Sequence, residues 1–435
     1  MQRSLLTKKI SINYRLTFMN KKKIDNTCNQ ASQPLLSTHD ALEFLLNASI
    51  VNTHTHTVAL DDALRQILAH DIRANINVPE FDNSAMDGYA IALKPEQISV
   101  PGILNFKITD RIQAGSTGNT LAPGCAARIF TGAPIPQGAN TVIMQEVCEV
   151  SKEGGYIETW QPLSLDENIR PLGNDIQSGA VILNKGRQLK AQDIALAASI
   201  GVKELEVFKP LKVGLFFTGD ELINPGETLK KGEIFNSNRY ALVALLTQLN
   251  CDIVNLGNIK DNFSATLDAL STLADDCDLI ITTGGVSVGE EDHVKPAVEK
   301  LGKLSLWRIK MKPGKPLAFG HIGKSAFIGL PGNPVSAMVT FFLFAQPFIK
   351  KMQGISNYKN QPIPVQANFD WLRPRPRREF VRVRLDQTTT PASASLYPKQ
   401  GSDVLSSIVW ADGLLEIPEN STFAQGEILN YYPLT

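Results

Sequence analysis

The second half of the chain alternates between two hydrophobic periods. Apolar runs of strand length are followed by longer stretches in which apolar residues recur every three or four positions, as on one face of a helix. The predicted strands are residues 213–218, 252–256, 279–283 and 326–330, and the predicted helices are residues 238–249, 264–274, 294–301 and 334–352. Repeated strand–helix units form a mainly parallel sheet covered by helices on both faces. The sequence therefore predicts an α/β domain that begins near Lys212.

Helical periodicity also occurs earlier in the chain, in separate pieces. A helix is predicted from about Thr38, and another from Ala191 to Ser199. The helical spacing of five apolar residues predicts a further helix in between: Leu60, Ala63, Leu64, Ile67 and Leu68. Residues 100–160 instead show short alternating runs broken by Gly and Pro, which are typical of a small β domain. The pattern predicts a helical domain that is split by an inserted β domain.

Two histidines, His54 and His56, lie between the first two predicted helices. A metal site would need further ligands, and no Cys, Asp or third His is near them in sequence. We therefore interpret this segment as a solvated linker.

The last segment of the chain, from about Pro362, has the pattern of an all-β domain. Residues 378–385 alternate, which places Arg378, Arg382 and Arg384 on one face and apolar residues on the other. Such an arginine face is either solvated or able to bind a phosphate or another oxyanion through two hydrogen bonds. Residues 401–403 follow as a turn.

Chemistry-bearing residues gather where the strands of the predicted α/β domain end. The strand 279–283 runs into a glycine loop, Gly284-Gly285-Val286-Ser287-Val288-Gly289, whose N–H groups can surround an anion. Acidic and basic residues follow it or lie in neighbouring loops: Glu221, Asp261, Glu290, Glu291, Asp292, Arg308, Lys310, Lys312 and Lys315. Carboxylates beside an anion site suggest a divalent metal ion. The alternative is a surface turn with solvated charges.

Ligands bind at the carboxyl ends of the strands in sheets of this class. The loops at those ends include Pro331-Gly332-Asn333-Pro334, in which Asn333 is also a good N-cap and Pro334 suits a first helical position. That motif thus has a complete structural explanation, whereas nothing in the fold requires acids at positions 221, 261 and 292. Their convergence favours a functional cleft.

Composition narrows the class of protein without identifying it. The 435 residues carry a formal net charge of zero, which gives no general reason to expect nucleic acid or a membrane as a partner. Five scattered cysteines without a C-x-x-C pair predict a reducing compartment and no disulfide framework. Residues 1–34 are basic, and we interpret them as a disordered extension. An organelle presequence, or a translation start at Met19, is the alternative.

Taken together, these motifs resemble the molybdopterin molybdenumtransferases, the MoeA family that includes the gephyrin E domain. The matching stretches follow one another in the family's order and are residues 82–90, 130–146, 219–222, 284–289 with Asp292, 312–316 and 331–334. The resemblance implies insertion of molybdenum from molybdate into adenylated molybdopterin, with Mg²⁺ and release of AMP. It also implies a cytoplasmic homodimer with a cleft formed by both subunits.

The resemblance further implies a domain organisation and a set of site residues. The expected parts are residues 1–34 as the extension, 35–75 with 167–208 as a split helical domain I, 76–166 as an inserted β domain II, 209–356 as the α/β molybdopterin-binding domain III and 357–435 as a C-terminal β-barrel domain IV. Catalytic roles fall on Asp87, Thr131, Asp175, Glu221, Asp261, Asp292 and Lys312. Ligand-binding roles fall on Gly284, Gly285, Ser287, Gly289, Lys315, Pro331, Gly332, Asn333, Pro334, Arg382 and Ser402. Asp292, Glu221 and Asp261 would hold Mg²⁺.

Two other functions are compatible with parts of the chain. Adenylyl transfer to molybdopterin is performed by related single-domain proteins that resemble only residues 212–355, and the flanking domains argue against it. A non-enzymatic scaffold, as in gephyrin, would be favoured by loss of the acids, which are all present. The expected partners are a second copy of the chain, a molybdopterin adenylyltransferase and molybdoenzyme-delivery proteins.

Overall fold

The computed structural model describes residues 35–100, 102–285 and 292–434. The proposed N-terminal extension, Ser287 and Gly289 therefore lie outside the described residues, as do Glu290 and Glu291. Within the described part of the chain, no helix is long and apolar enough to cross a membrane.

A six-stranded sheet dominates the α/β region. In spatial order its strands are Asp252–Ile259, Lys212–Thr218, Leu279–Thr283, Ser325–Leu330, Pro316–Ile322 and Gly302–Arg308. The first four are parallel, which confirms the four predicted strands. The last two are antiparallel additions at one edge that the sequence did not predict.

Helices cover both faces of this sheet. Phe263–Asp276 and Val294–Leu301 bury one face, where Phe216, Ile280 and Phe327 are fully buried. Ser237–Gln248 and a long segment that starts at Pro334 bury the other face. That segment consists of the α-helix Pro334–Thr340, the π-helical turn Phe341–Ala345 and the α-helix Gln346–Met352. The four predicted helices of the α/β domain are thus confirmed, with ends that differ by a few residues.

The two predicted helices at Thr38 and Ala191 are confirmed as Thr38–Ala48 and Ala191–Ser199. Ser37 caps the first, since its side chain accepts a hydrogen bond from Asp40 N at 3.0 Å. Ala41 and Leu45 of this helix belong to the same buried cluster as one face of the α/β sheet. The first helix therefore supports the sheet that carries the cleft described below.

The prediction of a helix from Leu60 to Leu68 is wrong. Only a single 3₁₀ turn, Leu60–Asp62, forms there. The preceding strand Thr55–Ala59 pairs antiparallel with Glu204–Phe208, so the interpretation of His54 and His56 as a linker is wrong for His56. Leu68 is buried with Leu205 and Val207 of the partner strand, because non-local strand pairing outweighs the local helical spacing.

The inserted β region contains a second six-stranded sheet. In spatial order its strands are Thr141–Met144, Gly88–Ile91, Cys125–Ile129, Leu104–Ile112, Tyr156–Thr159 and Cys148–Val150. Two smaller antiparallel ladders lie beside it: Asn83–Ser84 with Ile169–Arg170, and Ile72–Arg73 with Val181–Leu183. The β character predicted for this part of the chain is confirmed.

The C-terminal strands form a closed barrel. Five strands follow one another around it: Arg378–Asp386, Ser393–Leu396, Ile363–Ala367, Ile428–Pro433 and Gly413–Ile417, and the last pairs with the first. A short strand of the α/β region, Met311–Lys312, adds in parallel to Arg378–Glu379. The predicted C-terminal β-barrel is confirmed, and the multidomain α/β-plus-β class with it.

Candidate functional site

A cleft of about 710 Å³ opens at the carboxyl ends of three central strands of the α/β sheet. Thr218, Thr283 and Pro331 stand at those ends and contribute to its walls. The barrel side contributes Arg377, Gln400 and Ser402. The cleft is therefore at the position where ligands bind in sheets of this type, with the barrel as its second wall.

About half of the residues that the sequence assigned to ligand binding or catalysis line this cleft. They are Glu221, Gly284, Lys312, Lys315, Pro331, Gly332, Asn333, Pro334 and Ser402. Asn333 and Ser402 are also joined directly, since Asn333 Nδ2 donates to Ser402 Oγ at 3.2 Å. Several strand-end loops thus meet at the cleft, but of the three acids that were expected to converge only Glu221 lines it, and ligand roles for these residues stay predictions.

The glycine loop requires glycine where it leaves the strand. Gly285 has φ +62°, and a Cβ there would lie 2.5 Å from Val294 Cγ2. Gly284 also has a positive φ of +83°. The tight turn brings the backbone of Gly284 to the cleft wall, where an approaching ligand meets no side chain from that residue.

The basic side of the cleft contains Lys312, Lys315 and Arg377. Lys312 Nζ lies 3.6 Å from Glu379 Oε2, and Arg375 binds the same carboxylate at 2.9 Å. Because two cations share one buried carboxylate, this cluster keeps a net positive charge. Lys315 and Arg377 have no ion pair within the described part of the chain, so both charges are available to an anion.

Sequence reasoning did not single out Arg377. It precedes the strand Arg378–Asp386 by one residue, and the alternation argument started at Arg378. The signal was present in the run Arg373-Pro-Arg-Pro-Arg377, because a proline-rich arm ahead of a strand cannot itself join the sheet. Such an arm can leave arginines to solvent or to a ligand, as with Arg377, although Arg375 pairs with Glu379.

Arg382 is placed differently from the sequence expectation. It is 1% exposed and does not line the cleft. Its Nε donates to Ser407 Oγ at 2.9 Å, and its Nη2 donates to Gly401 O at 2.9 Å. Burial lowers the pKa of Arg382 to about 10, against the opposing effect of the Glu379 charge. Arg382 is therefore still protonated at neutral pH. Its hydrogen bond to Gly401 O supports the turn that carries Ser402.

The three predicted metal ligands do not form one cluster of three in the described structure. Glu221 lines the cleft, and its carboxylate lies against Gly219. A Cβ added at position 219 would come within 2.6 Å of Glu221 Oε2. Asp261 does not line the cleft, but its Oδ1 accepts a hydrogen bond from Oγ1 of Thr218, which does, at 2.6 Å. Asp292 precedes the helix Val294–Leu301. Within the described ranges, no group of three or more His, Cys, Asp or Glu side chains is placed to hold a metal ion.

Asp87, Thr131 and Asp175 do not line this cleft. Asp87 and Thr131 form a unit of their own, because Asp87 Oδ1 accepts hydrogen bonds from Thr131 N and Oγ1, both at 2.8 Å. Asp175 lies in an exposed loop, where its N–H donates to Val78 O. One chain thus assembles the strand-end residues and leaves the residues of the β region apart from them.

The Thr131 donors lower the pKa of Asp87, with the backbone N–H as the larger cause and the hydroxyl as the second. We expect Thr131→Val to raise the pKa of Asp87 part of the way toward the ordinary aspartate value of about 3.9. Carboxyl ¹³C chemical shifts followed through an acid titration measure this change. Thr131→Ser, which keeps the hydroxyl, is the matched control, and an unchanged midpoint in Thr131→Val would contradict the assigned hydrogen bond.

Comparisons with known proteins agree along the described chain. Residues 36–201 match the MoeA N-terminal region (domain I and II), residues 214–351 a probable molybdopterin binding domain, and residues 364–434 the MoeA C-terminal region (domain IV). The chain is 41% identical to the molybdopterin molybdenumtransferase of Haemophilus influenzae, over 75% of this chain and 80% of the relative. It is 33% identical to that of Bacillus subtilis, over 84% and 86%.

A solved structure gives the same result. The molybdopterin biosynthesis MoeA protein of Pyrococcus horikoshii superimposes with a TM-score of 0.80 at 30% identity, over 92% of this chain and all of that one. Fold and cleft together define a MoeA-type protein with an α/β molybdopterin-binding module and a C-terminal barrel. The chain belongs to the molybdopterin molybdenumtransferase family, which confirms the resemblance found in the sequence.

Proposed function

We propose that this protein, a transferase of molybdenum cofactor biosynthesis, inserts molybdenum from molybdate into adenylated molybdopterin and releases AMP. The observation that carries the proposal is the cleft itself. It brings Lys315 and Arg377, which have no ion pair within the described residues, together with the Glu221 carboxylate and strand-end glycines. A family member with this arrangement is suited to bring together a small oxyanion and a phosphate-linked substrate.

Molybdate is a tetrahedral dianion and would bind at the basic side of the cleft. Arg377 can donate two parallel hydrogen bonds to it, while Lys315 supplies a point charge. The Ser402 hydroxyl, held by Asn333, offers a further donor. Lys312, which the Glu379 contact positions, adds charge without being fully neutralised.

The phosphates of the adenylated substrate would lie against the strand-end loops. Gly284 and Gly332 bring backbone to the cleft wall without side chains. Asn238 fixes the Gly332 loop, because its Nδ2 donates to Gly332 O at 2.7 Å. A backbone surface of this kind suits close approach by phosphate oxygens.

The described residues offer Mg²⁺ only a small number of carboxylate ligands at this site. The ion commonly takes only one or two carboxylates and completes its shell with water and substrate phosphates. Glu221 in the cleft wall and Asp261, held by Thr218, are suitable donors. Bound there, Mg²⁺ would neutralise charge on the phosphate group that is cleaved. Asp292, which the sequence assigned to the metal, stays a candidate.

The residues of the β region suggest how the site is completed. We infer that the protein acts as a homodimer in the cytoplasm and that Asp87, Thr131 and Asp175 of one subunit face the cleft of the other. Support comes from their separation from the cleft within one chain. A molybdopterin adenylyltransferase would supply the substrate, and molybdoenzyme-delivery proteins would receive the product.

Reconstitution with purified protein tests the proposed function. Adenylated molybdopterin, molybdate and Mg²⁺ are expected to give molybdenum cofactor and AMP in equal amounts. Chromatography measures AMP, and activation of a cofactor-free molybdoenzyme measures the cofactor. Omitting molybdate is the control. Absence of both products from folded protein would refute the insertase activity.

A further inference from the structure

Two consecutive apolar residues of a short strand, Ile234 and Phe235, line the cleft, and we call this stretch the shelf. Ile234 is 55% exposed and Phe235 is 41% exposed, and both line the cavity. Exposed apolar surface is unfavourable in water, and a surface turn has no structural need for two such side chains in succession. Their place in a ligand cleft gives a reason for the exposure.

The shelf is held in place by its backbone. Ile234 and Phe235 form a parallel ladder with Leu222 and Ile223. Ile234 N donates to Glu221 O at 2.8 Å, and Asn236 N donates to Ile223 O at 3.0 Å. The exposure of these side chains is therefore a fixed property of the cleft wall. Because the anchoring is by main chain, replacing the Phe235 side chain leaves it intact.

The polar surroundings of the shelf indicate what it would bind. Ser237 and Asn238 line the same cavity, as does Glu221, whereas the side chain of Asn236 is buried and caps the following helix. A flat heteroaromatic ring has apolar faces and an edge of hydrogen-bond donors and acceptors. Its face suits the side chain of Phe235, and its edge suits the hydroxyl of Ser237 and the amide of Asn238.

We propose that Phe235 of the Ile234–Phe235 shelf stacks against a flat heteroaromatic ring of the substrate. The proposal rests on the function proposed above, since adenylated molybdopterin carries two such rings, a purine and a pterin, joined through phosphates. With one ring on the shelf, the linking phosphates extend along the strand-end loops toward Lys312 and Lys315. The shelf thus binds one end of the substrate, and the cations bind the charged part.

Binding of three probes to Phe235→Ala tests the shelf. AMP carries the purine, 6-hydroxymethylpterin carries the pterin, and ribose 5-phosphate has the sugar phosphate without a ring. Alanine substitution of a stacking aromatic weakens binding of a nucleobase by about 1–3 kcal/mol, so about tenfold weaker binding of one ring is expected. Ribose 5-phosphate binding is expected to stay unchanged. Calorimetry measures all three.

Two further variants make the test specific. Phe235→Trp keeps a flat face and is expected to retain binding. Tyr240→Ala is the matched control, because Tyr240 is 51% exposed on the adjoining helix but does not line the cleft. Weaker AMP binding alone assigns the shelf to the purine, and weaker pterin binding alone assigns it to the pterin.

Several results would overturn the proposal. They are equal affinity of Phe235→Ala and the unsubstituted protein for both rings, an equal loss for ribose 5-phosphate, and no binding of either ring to the unsubstituted protein. The binding data are independent of turnover. If AMP release from the full substrate fails while the ring effect holds, the insertase function is refuted and the shelf is retained.

Discussion

Arg377→Ala is expected to lower kcat/KM for molybdate by about 30- to 150-fold, with no change in the free energy of unfolding. Arg377 lines the cleft and has no ion pair within the described chain, so its donors are free for the oxyanion. A hydrogen bond to a charged group contributes about 1.5–3 kcal/mol, and a loss of about 2–3 kcal/mol corresponds to that factor. Initial rates of cofactor formation at varied molybdate concentration measure it.

Two variants sharpen this prediction. Arg377→Lys keeps the charge but loses the planar pair of donors, so an intermediate loss is expected. Arg373→Ala removes an exposed arginine of the same arm that does not line the cleft, and it is expected to leave the rate unchanged. Equal effects of the two alanine variants would show that general positive charge, rather than a contact from Arg377, promotes molybdate use.

Arg382→Ala is expected to lower the free energy of unfolding by about 2–5 kcal/mol, through the lost packing and the buried acceptors left without a donor. The substitution removes a fully buried guanidinium and leaves Ser407 Oγ and Gly401 O without their donor. Denaturant unfolding measures the loss. Hydrogen exchange is expected to increase in residues 399–407, because the turn that carries Ser402 loses its support.

Arg384→Ala is the matched control for this variant. Arg384 lies two residues further along the same strand, is 53% exposed and donates to Trp410 O at 2.8 Å. Its removal is expected to cost less than about 1 kcal/mol. An Arg382→Ala protein of unchanged stability and raised KM for molybdate would instead support the direct oxyanion contact predicted from the sequence.

The two arginines show which part of the site was accessible from the sequence. Period-two alternation correctly placed Arg382 on a strand, but it cannot show which face another part of the chain covers. Residues 399–407 fold over that face, so Arg382 is buried among backbone carbonyls. Arg377 lies outside the strand, and only the three-dimensional path of the arm brings it to the cleft.

Local patterns were sufficient for the α/β sheet because each central strand is a continuous apolar run. All five residues of Leu279–Thr283 are buried, for example. The same reasoning failed at residues 60–68, where helical spacing was present but residues 67–69 instead form backbone hydrogen bonds with Glu206 and Phe208. The strand character of Thr55–Ala59 was visible in its β-branched residues. Its partner, about 150 residues away, was not.

The short strand Met311–Lys312 has a mechanical consequence. It belongs to the α/β region by sequence, yet it is hydrogen-bonded into the barrel beside Arg378–Glu379. A hinge between barrel and sheet would have to break this ladder and separate Lys312 from Glu379. The backbone of Lys312 therefore moves together with the barrel strand, and its ammonium group stays close to Glu379 unless both the ladder and the ion pair are broken.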